Sequence, residues 1–212
     1  MSEVKNVLVL CMGNVGRSPL IAASLAIELQ GTGINVVSRG LRNPSQGHKT
    51  ANPELLKLLT AMQARGQKIK GREPKELLAT LKKHTPIKVT KTDLEKADIV
   101  IVATPALLNE LHKNFGATMP KLREKAFTVR EFITKKVLGK EVSLRKKRGR
   151  MLDQVYNKKG VTGWKAKPGV RVLRIGGREI IVPETRLKRH LSEGARVGFT
   201  IGKHLRQQRH GK

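Results

Sequence analysis

Aromatic side chains and cysteine are scarce in this sequence. Phe, Trp and Tyr together make up 3% of the 212 residues, which argues against a nucleic-acid-binding sheet that stacks bases on aromatic rings. The single cysteine excludes a disulfide framework and a cysteine-based structural zinc site within the chain. The six histidines lack metal-ligand spacing, so we predict that they are surface residues and that the protein holds no metal.

Long apolar runs are missing as well. No stretch approaches the roughly 18 consecutive apolar residues of a membrane-spanning helix, and the apolar run before Cys11 is too short for a secretory signal. We therefore expect a cytoplasmic protein without a membrane span. Hydrophobic residues nevertheless make up 38% of the chain, which is enough to form a buried core.

Acidic residues are few compared with basic ones. Lysine and arginine number 44 against 16 aspartates and glutamates, which gives a formal net charge of +28. The excess is densest in residues 133–181, which include a basic run formed by Arg145, Lys146, Lys147, Arg148 and Arg150. Unpaired charges are too costly to bury, so this run lies on the surface or is disordered. It fits a patch for nucleic acid or another anionic partner, or a solvated insertion in a generally basic protein.

Strand-like and helix-like patterns alternate along the first 132 residues. The predicted strands are 4–10, 34–38, 99–103 and 126–129, and the predicted helices are 20–30, 52–65, 73–83 and 105–115. Ser18 is expected to be the N-cap of the first helix, with Pro19 in its first turn. This alternation predicts an α/β fold, in which a parallel sheet carries helices on both faces.

The pattern becomes irregular after Phe132. We interpret residues 133–181 as a basic insertion within a single domain that spans residues 1–212. Two β-prone runs, 170–175 and 178–182, flank a Gly-Gly pair and predict a β-hairpin. A closing helix from residue 185 carries three glycines four residues apart, which allow close packing against a neighbour: Gly194, Gly198 and Gly202.

The residues between the first predicted strand and the first predicted helix read CMGNVGRSP, at positions 11–19. A loop in this place directs backbone N–H groups and the positive end of a helix dipole at one point, which suits a phosphate dianion. We expect the two glycines to allow close approach and Asn14 to adopt a left-handed conformation. The residues predicted to bind the phosphate through their backbone are Met12, Gly13, Asn14, Val15 and Gly16.

Side chains of the same loop supply a nucleophile and a charge clamp. The thiol of Cys11 faces the positive field, which favours the reactive thiolate. Arg17 can bind two phosphate oxygens through its planar guanidinium, and Ser18 can donate a hydrogen bond to the sulfur. The alternative is that Cys11 is a small buried hydrophobic residue at the end of a core strand.

These residues carry a family resemblance. CMGNVGRSP resembles the C-x-G-N-x-x-R-S-P signature of the low-molecular-weight protein tyrosine phosphatases, which also lies between a strand and a helix. Three further segments resemble that family, namely VSRG at 37–40, TDLEKADIV at 92–100 and VREF at 129–132. The resemblance covers roughly residues 4–132 and the closing helix, and it implies a four-stranded parallel sheet.

The resemblance also implies a chemistry, namely phosphoryl transfer from a phosphorylated protein through a cysteinyl-phosphate on Cys11. Arg17 and the loop amides would bind the phosphate oxygens. Asn14 and Ser38 would hold the loop in shape, and Ser18 would tune the sulfur. No metal or cofactor is needed.

One part of the family pattern is absent. The family places an Asp-Pro general acid shortly before the last helix, where this chain has Val182 and Pro183. Valine has no proton to donate, and a general acid is typically worth about 10²–10⁴-fold in rate. Glu184 is our first choice for the acid, with Asp153 and Glu179 as alternatives. If none of them serves, the chain is a weakened phosphatase-fold module that binds phosphate, or RNA through the basic run.

The identity of the leaving group is left open by the sequence. Trp164 and Tyr156 are the only tryptophan and tyrosine, and both lie in the insertion, so an aromatic substrate has few stacking partners. Val15 is small and apolar, like the isoleucine common in tyrosine-directed members of the family. We therefore expect a phosphotyrosine phosphatase, with other phosphate esters as alternatives.

Overall fold

A four-stranded parallel sheet forms the centre of the computed structural model, which describes residues 4–44, 49–133, 170–175 and 178–210, and the side chains within 4–44, 49–133 and 188–209. The strand order is β2-β1-β3-β4, and every pairing is parallel. The predicted α/β fold is therefore confirmed. The strands are β1 (Asn6–Cys11), β2 (Asn35–Gly40), β3 (Ile99–Val102) and β4 (Ala126–Thr128).

Helices connect the strands and complete the chain. Three of them begin with a proline in the first turn, where the missing N–H would have no partner inside the helix. The helices predicted at 52–65, 73–83 and 105–115 are confirmed within two residues. The helices are α1 (Arg17–Glu28), α2 (Pro53–Ala64), α3 (Pro74–Lys82), α4 (Lys91–Lys96), α5 (Pro105–Phe115), α6 (Leu122–Lys125), α7 (Val129–Glu131) and α8 (Glu184–His210).

The two faces of the sheet are both buried. In β1, Leu8 and Leu10 face a core shared with α4 and α5, whereas Val7 and Val9 face a core shared with α1 and α8. This alternation follows from the two-residue period of a strand. Because both faces are covered, the strands are nearly continuous apolar runs, as expected for a parallel sheet.

Helix α8 packs alongside α1, and the two helices run in the same direction. A Cβ atom built on Gly194 would lie 2.5 Å from Leu20 Cδ2, and one on Gly202 would lie 2.6 Å from Glu28 Cβ. A Cβ on the intervening Gly198 would lie 2.5 Å from the carbonyl oxygen of Ile21 and 2.6 Å from Ser24 Cβ. The close packing predicted for these glycines is confirmed.

Two local predictions were wrong, at the start of α1 and at the end of β2. Helix α1 begins at Arg17 with Gly16 as its N-cap, and no side chain caps it. Ser18 is therefore inside the helix, where its hydroxyl turns back toward the loop. The second strand ends at Gly40, two residues later than predicted, because Gly40 pairs with Cys11 and also bridges to Lys88.

The remaining described strands, β5 (Val170–Ile175) and β6 (Arg178–Pro183), pair with each other in an antiparallel arrangement. Gly176 and Gly177 lie outside the described residues, so the hairpin of the insertion stays a prediction. Among the described helices, none combines the length and the apolar character needed to cross a membrane.

Candidate phosphate-binding site

The backbone carbonyl groups of the loop between β1 and α1 point away from its centre. Five of them accept a hydrogen bond from a segment outside the loop or from the first turn of α1. The donor-acceptor pairs are Leu41 N to Cys11 O at 2.9 Å, Arg42 N to Met12 O at 2.8 Å, His84 Nε2 to Asn14 O at 2.8 Å, Asn52 N to Val15 O at 2.8 Å and Leu20 N to Gly16 O at 3.3 Å. Four separate parts of the chain therefore hold the loop open.

This anchoring fixes the direction of the loop amides. The N–H and C=O groups of a trans peptide point in opposite directions, so outward carbonyls turn the N–H groups that follow them toward the inside of the loop. These N–H groups belong to Met12, Gly13, Val15, Gly16 and Arg17. Within the part of the chain that the structure describes, the N–H groups from Met12 to Gly16 donate to no protein atom. The loop is thus a ring of unused donors beside a helix N-terminus, an arrangement that suits an anion.

The sulfur of Cys11, the residue directly before these amides, lies beside the first turn of α1. Cys11 is 3% exposed and ends β1. The Ser18 hydroxyl lies 3.0 Å from Cys11 Sγ, 3.0 Å from Asn14 Oδ1 and 3.3 Å from the carbonyl oxygen of Arg39. The hydroxyl has one proton, so it can stabilise a thiolate directly while the other acceptors fix its position.

Asn14 is the residue with a left-handed conformation in the loop, with φ of 55°. This prediction is confirmed, whereas Gly16 has a φ of −124° that does not require glycine. The Asn14 side chain is fully buried and donates from Nδ2 to the carbonyl oxygen of Ser38 at 3.2 Å. Ser38 therefore supports the loop through its backbone rather than through its hydroxyl.

Gly40 allows β2 to approach the loop. A Cβ at this position would lie 2.9 Å from Met12 O and 2.9 Å from the carbonyl carbon of Gly13. These distances are shorter than a carbon side chain tolerates, so glycine is required by the close approach of two backbones. The loop, β2 and the segment around Lys88 are held together at this point.

His84 is a site residue that the sequence analysis missed, because we predicted a surface histidine. Its ring is half-buried, and Nε2 donates to the carbonyl oxygen of Asn14. Burial lowers the pKa of His84, the bond to Asn14 opposes this, and the charge of Arg39 lowers it further. No local motif marks His84, since it meets the loop across 70 residues of sequence.

His190 is the second missed residue. It is 8% exposed, and its Nε2 atom has no hydrogen-bond partner among the described residues. Burial, and after it the positive charge of Arg17, lowers the pKa of His190 to about 4. Gly194 packs against Leu20 of α1, and His190 lies one helical turn before Gly194. Because α1 and α8 run in the same direction, His190 is beside the start of α1. Arg17 itself is buried as the first residue of α1.

An ion pair between Arg39 of β2 and Asp93 of α4 stabilises the strand next to the loop. The Arg39 guanidinium contacts both carboxylate oxygens of Asp93 at 3.3 Å and donates to the carbonyl oxygen of Ser38 at 2.9 Å. Burial alone would raise the pKa of Asp93, but hydrogen bonds from the Thr90 N–H and hydroxyl, together with Arg39, lower it. The carboxylate is therefore held ionised and neutralises Arg39.

Several predicted functional residues fall outside the described part of the chain. Glu184 is the first residue of α8, but its side chain lies outside the described side chains, and so does that of Glu179. Asp153 lies outside the described residues altogether, and so does the basic run formed by Arg145, Lys146, Lys147, Arg148 and Arg150. Within the described ranges, no group of three His, Cys, Asp or Glu side chains could hold a metal ion.

The fold is similar to solved structures of small phosphatases. No protein-family model and no curated sequence matches the chain. The YwlE arginine phosphatase from Geobacillus stearothermophilus is 17% identical over 98% of this chain and 96% of its own, with a TM-score of 0.57. A YwlE variant with a phosphorylated active-site serine is 20% identical over 98% of this chain and 99% of its own, with a TM-score of 0.59.

A low-molecular-weight protein tyrosine phosphatase from Bacillus subtilis gives a similar result. It is 20% identical over 96% of this chain and 99% of its own, with a TM-score of 0.57. The chain therefore has the fold of the low-molecular-weight protein tyrosine phosphatases, as the resemblance of the loop implies.

Proposed function

We propose that the protein is a phosphomonoester hydrolase that works through a cysteinyl-phosphate. The observation that carries the proposal is the ring of unused N–H groups that begins directly after Cys11, with the Ser18 hydroxyl 3.0 Å from the Cys11 sulfur. A nucleophile, an anion cradle and a helix N-terminus converge on one point. The phosphorylated active-site serine in a protein of the same fold also supports a phosphoryl group carried by the loop's nucleophile.

The reaction consists of two displacements at phosphorus. In the first, the Cys11 thiolate attacks phosphorus, an S–P bond forms, and the P–O bond to the leaving group breaks. The loop amides and Arg17 bind the three equatorial oxygens as charge shifts among them. In the second, water attacks phosphorus and gives a proton to the carboxylate that acted as the acid in the first step, the S–P bond breaks, and inorganic phosphate leaves. The Ser18 hydroxyl keeps its proton and donates a hydrogen bond to the sulfur as the thiolate re-forms.

The leaving-group oxygen needs a proton in the first step, and we propose Glu184 as its donor. Glu184 is the first residue of α8. His190 follows six residues later in the same helix, and its pKa is lowered in part by the charge of Arg17. The pH–rate profile of Glu184→Gln beside that of the native protein tests this role. Loss of the limb that reports the acid supports Glu184, whereas an unchanged profile overturns it and points to Asp153 or Glu179.

The substrate that we propose is protein-bound phosphotyrosine. Met12 and Ile87 are the large hydrophobic residues exposed in the described part of the chain, each 44% exposed. Both adjoin Gly40, since Gly40 lies against Met12 O and donates to the carbonyl oxygen of Ile87. Their position at the loop supplies an apolar wall for an aromatic ring. The sulfur of Met12 adds a favourable contact, because methionine sulfur interacts well with aromatic rings.

Phosphoarginine is the competing substrate, because similar structures include an arginine phosphatase. Initial rates on matched phosphotyrosine and phosphoarginine peptides distinguish the two. A higher kcat/KM for the phosphotyrosine peptide is expected, and the reverse order would transfer the assignment to phosphoarginine.

The hydrolase activity itself is tested with nitrophenyl phosphate, whose leaving group departs without help from an acid. We expect phosphate release by the native protein and its loss in Cys11→Ser and Arg17→Ala. Ser24→Ala is the control, because Ser24 is buried in the same helix but bonds only to the carbonyl oxygen of Leu20. Equal activity of Cys11→Ser and the native protein would refute the mechanism.

The cytoplasm is the compartment in which we propose that the protein acts. A thiolate nucleophile must stay reduced, and a reducing compartment provides this condition. Cys11 is the only cysteine of the chain, so no second thiol can protect it as an intramolecular disulfide.

A further inference from the structure

Four exposed cations are close neighbours, along the chain or by strand pairing, of residues that hold the loop or the start of α1, and we call them the cationic rim: Lys49, Lys83, Lys88 and Arg189. Lys83 precedes His84, which donates to Asn14 O, and Lys88 bridges to Gly40 beside the loop. Lys49 lies three residues before Asn52, which donates to Val15 O. Arg189 precedes His190, whose pKa is lowered in part by the charge of Arg17.

The charge of the cationic rim is not cancelled by the described carboxylates around the loop. Each of these carboxylates is already paired with another cation, so that none is left for the rim. The pairs are Asp93 with Arg39 at 3.3 Å, Glu110 with Arg42 at 2.9 Å and Glu54 with Lys57 at 3.0 Å. Among the described residues, no member of the rim has a carboxylate partner.

The opposite edge of the sheet, where the strands begin, has a different arrangement. There the Lys125 ammonium donates to the carbonyl oxygens of Glu95 and Ala97. Burial lowers the pKa of Lys125, and the charges of Asp98 and Glu95 offset this only in part. Asp98 accepts hydrogen bonds from the N–H groups of Lys5 and Asn6. At that edge Lys125 is therefore surrounded by acceptors and acidic groups, whereas the rim has no described carboxylate partner.

We propose that the cationic rim binds acidic side chains on either side of the phosphorylated residue in a protein substrate. The proposal rests on the proposed hydrolase function, since it names the substrate class for the same site. The loop and Arg17 are occupied by the phosphoryl group, so the rim is left for the flanking residues. Steering by such a field raises association rates by about 10-fold or more at low ionic strength and is screened by salt.

Two phosphotyrosine peptides that differ only in their flanks test the proposal. One carries Asp and Glu around the phosphotyrosine, and the other carries Asn and Gln. We expect kcat/KM for the acidic peptide to be about 10-fold higher at low salt, and the ratio to approach one in high salt. Equal values at low salt would overturn the proposal.

A rim variant localises the effect. The change of Lys49, Lys83, Lys88 and Arg189 to Gln should remove the preference for acidic flanks and leave nitrophenyl phosphate hydrolysis unchanged. The matched control changes exposed residues near the opposite edge, again three lysines and one arginine, to Gln: Lys96, Lys113, Lys121 and Arg123. If the control loses the preference as fully as the rim variant, net charge rather than the rim is responsible, and the proposal fails.

Peptide binding separates this inference from the hydrolase function. Fluorescence polarisation reports the affinity of the two labelled peptides without requiring turnover. If nitrophenyl phosphate is not hydrolysed, the proposed function fails, and a rim-dependent preference in binding still supports the rim. Equal affinities overturn it, and so does displacement of the acidic peptide by a single-stranded RNA that binds the rim more tightly.

Discussion

At Ser18, one hydroxyl proton faces three acceptors: the Cys11 sulfur, the Asn14 side-chain oxygen and the Arg39 carbonyl. The residue lies in the first turn of α1 and is fully buried. Water cannot replace the hydroxyl there, so its removal leaves the sulfur without its donor.

Ser18→Ala is therefore expected to lower kcat by roughly 10- to 100-fold, because a hydrogen bond to a charged group is worth about 1.5–3 kcal/mol. Burst kinetics with nitrophenyl phosphate will show which displacement is slowed, and we expect the slower one to be thiolate release from the cysteinyl-phosphate. Ser24→Ala, which removes another buried hydroxyl of α1, should stay close to the native rate. Equal rates for Ser18→Ala and the native protein would contradict the role of this contact.

His190 makes the stability of the fold depend on pH. Its pKa is about 4 in the folded protein against 6.5 in the unfolded chain, so the unfolded chain binds more protons between these values. Stability therefore rises with pH in this window. The contribution of His190 is complete above about pH 6.5 and is lost as pH falls toward 4, by roughly 3 kcal/mol in total.

Urea unfolding at neutral pH and near pH 4.5 checks this prediction. We expect His190→Gln to lose less stability on acidification than the native protein. His204→Gln is the control, because His204 is in the same helix, and burial lowers its pKa as well, but its side chain is partly exposed. The same acid sensitivity in His190→Gln and the native protein would show that other groups dominate.

The contact between α1 and α8 depends on the absence of side chains at three positions of one helix. Alanine is a better helix former than glycine by about 1 kcal/mol, so Gly198→Ala would stabilise a helix with free space around it. Here the new Cβ would lie 2.5 Å from Ile21 O and 2.6 Å from Ser24 Cβ. Backbone at the contact cannot move without separating the two helices.

Gly198→Ala is expected to lower the free energy of unfolding by about 1–3 kcal/mol, which is the usual cost of overpacking. Chemical denaturation measures the change. Arg196→Ala, at an exposed position of the same helix, should change stability by less than about 0.5 kcal/mol. A Gly198→Ala protein at least as stable as the native one would show that α8 can shift away from α1.

Over the whole molecule, the net charge of +28 opposes folding. Like charges repel more strongly in the compact state than in the expanded chain. Salt shortens the range of this repulsion, since the Debye length falls from about 30 Å at 0.01 M to about 10 Å at 0.1 M ionic strength.

Raising sodium chloride over that range should therefore increase the melting temperature by at least about 3 °C, the shift that roughly 1 kcal/mol gives in a chain of this size. Differential scanning calorimetry provides the measurement. Sucrose of equal osmolality is the control, because it does not screen charge. A melting temperature that stays constant or falls with salt would show that self-repulsion is a minor term.

The sequence by itself determined the features that depend on neighbouring residues. The apolar runs predicted the parallel sheet, and CMGNVGRSP predicted the phosphate loop because nucleophile, amides and arginine are contiguous there. The left-handed conformation of Asn14 was likewise predictable from its residue type.

Only the tertiary structure decided which distant residues support the loop. His84 donates to Asn14 across 70 residues of sequence, and α8 brings His190 to Arg17 from the other end of the chain. Gly40 is required because β2 pairs beside β1 and meets the loop backbone. Such contacts depend on how helices and strands pack, so local propensity along the sequence does not specify them.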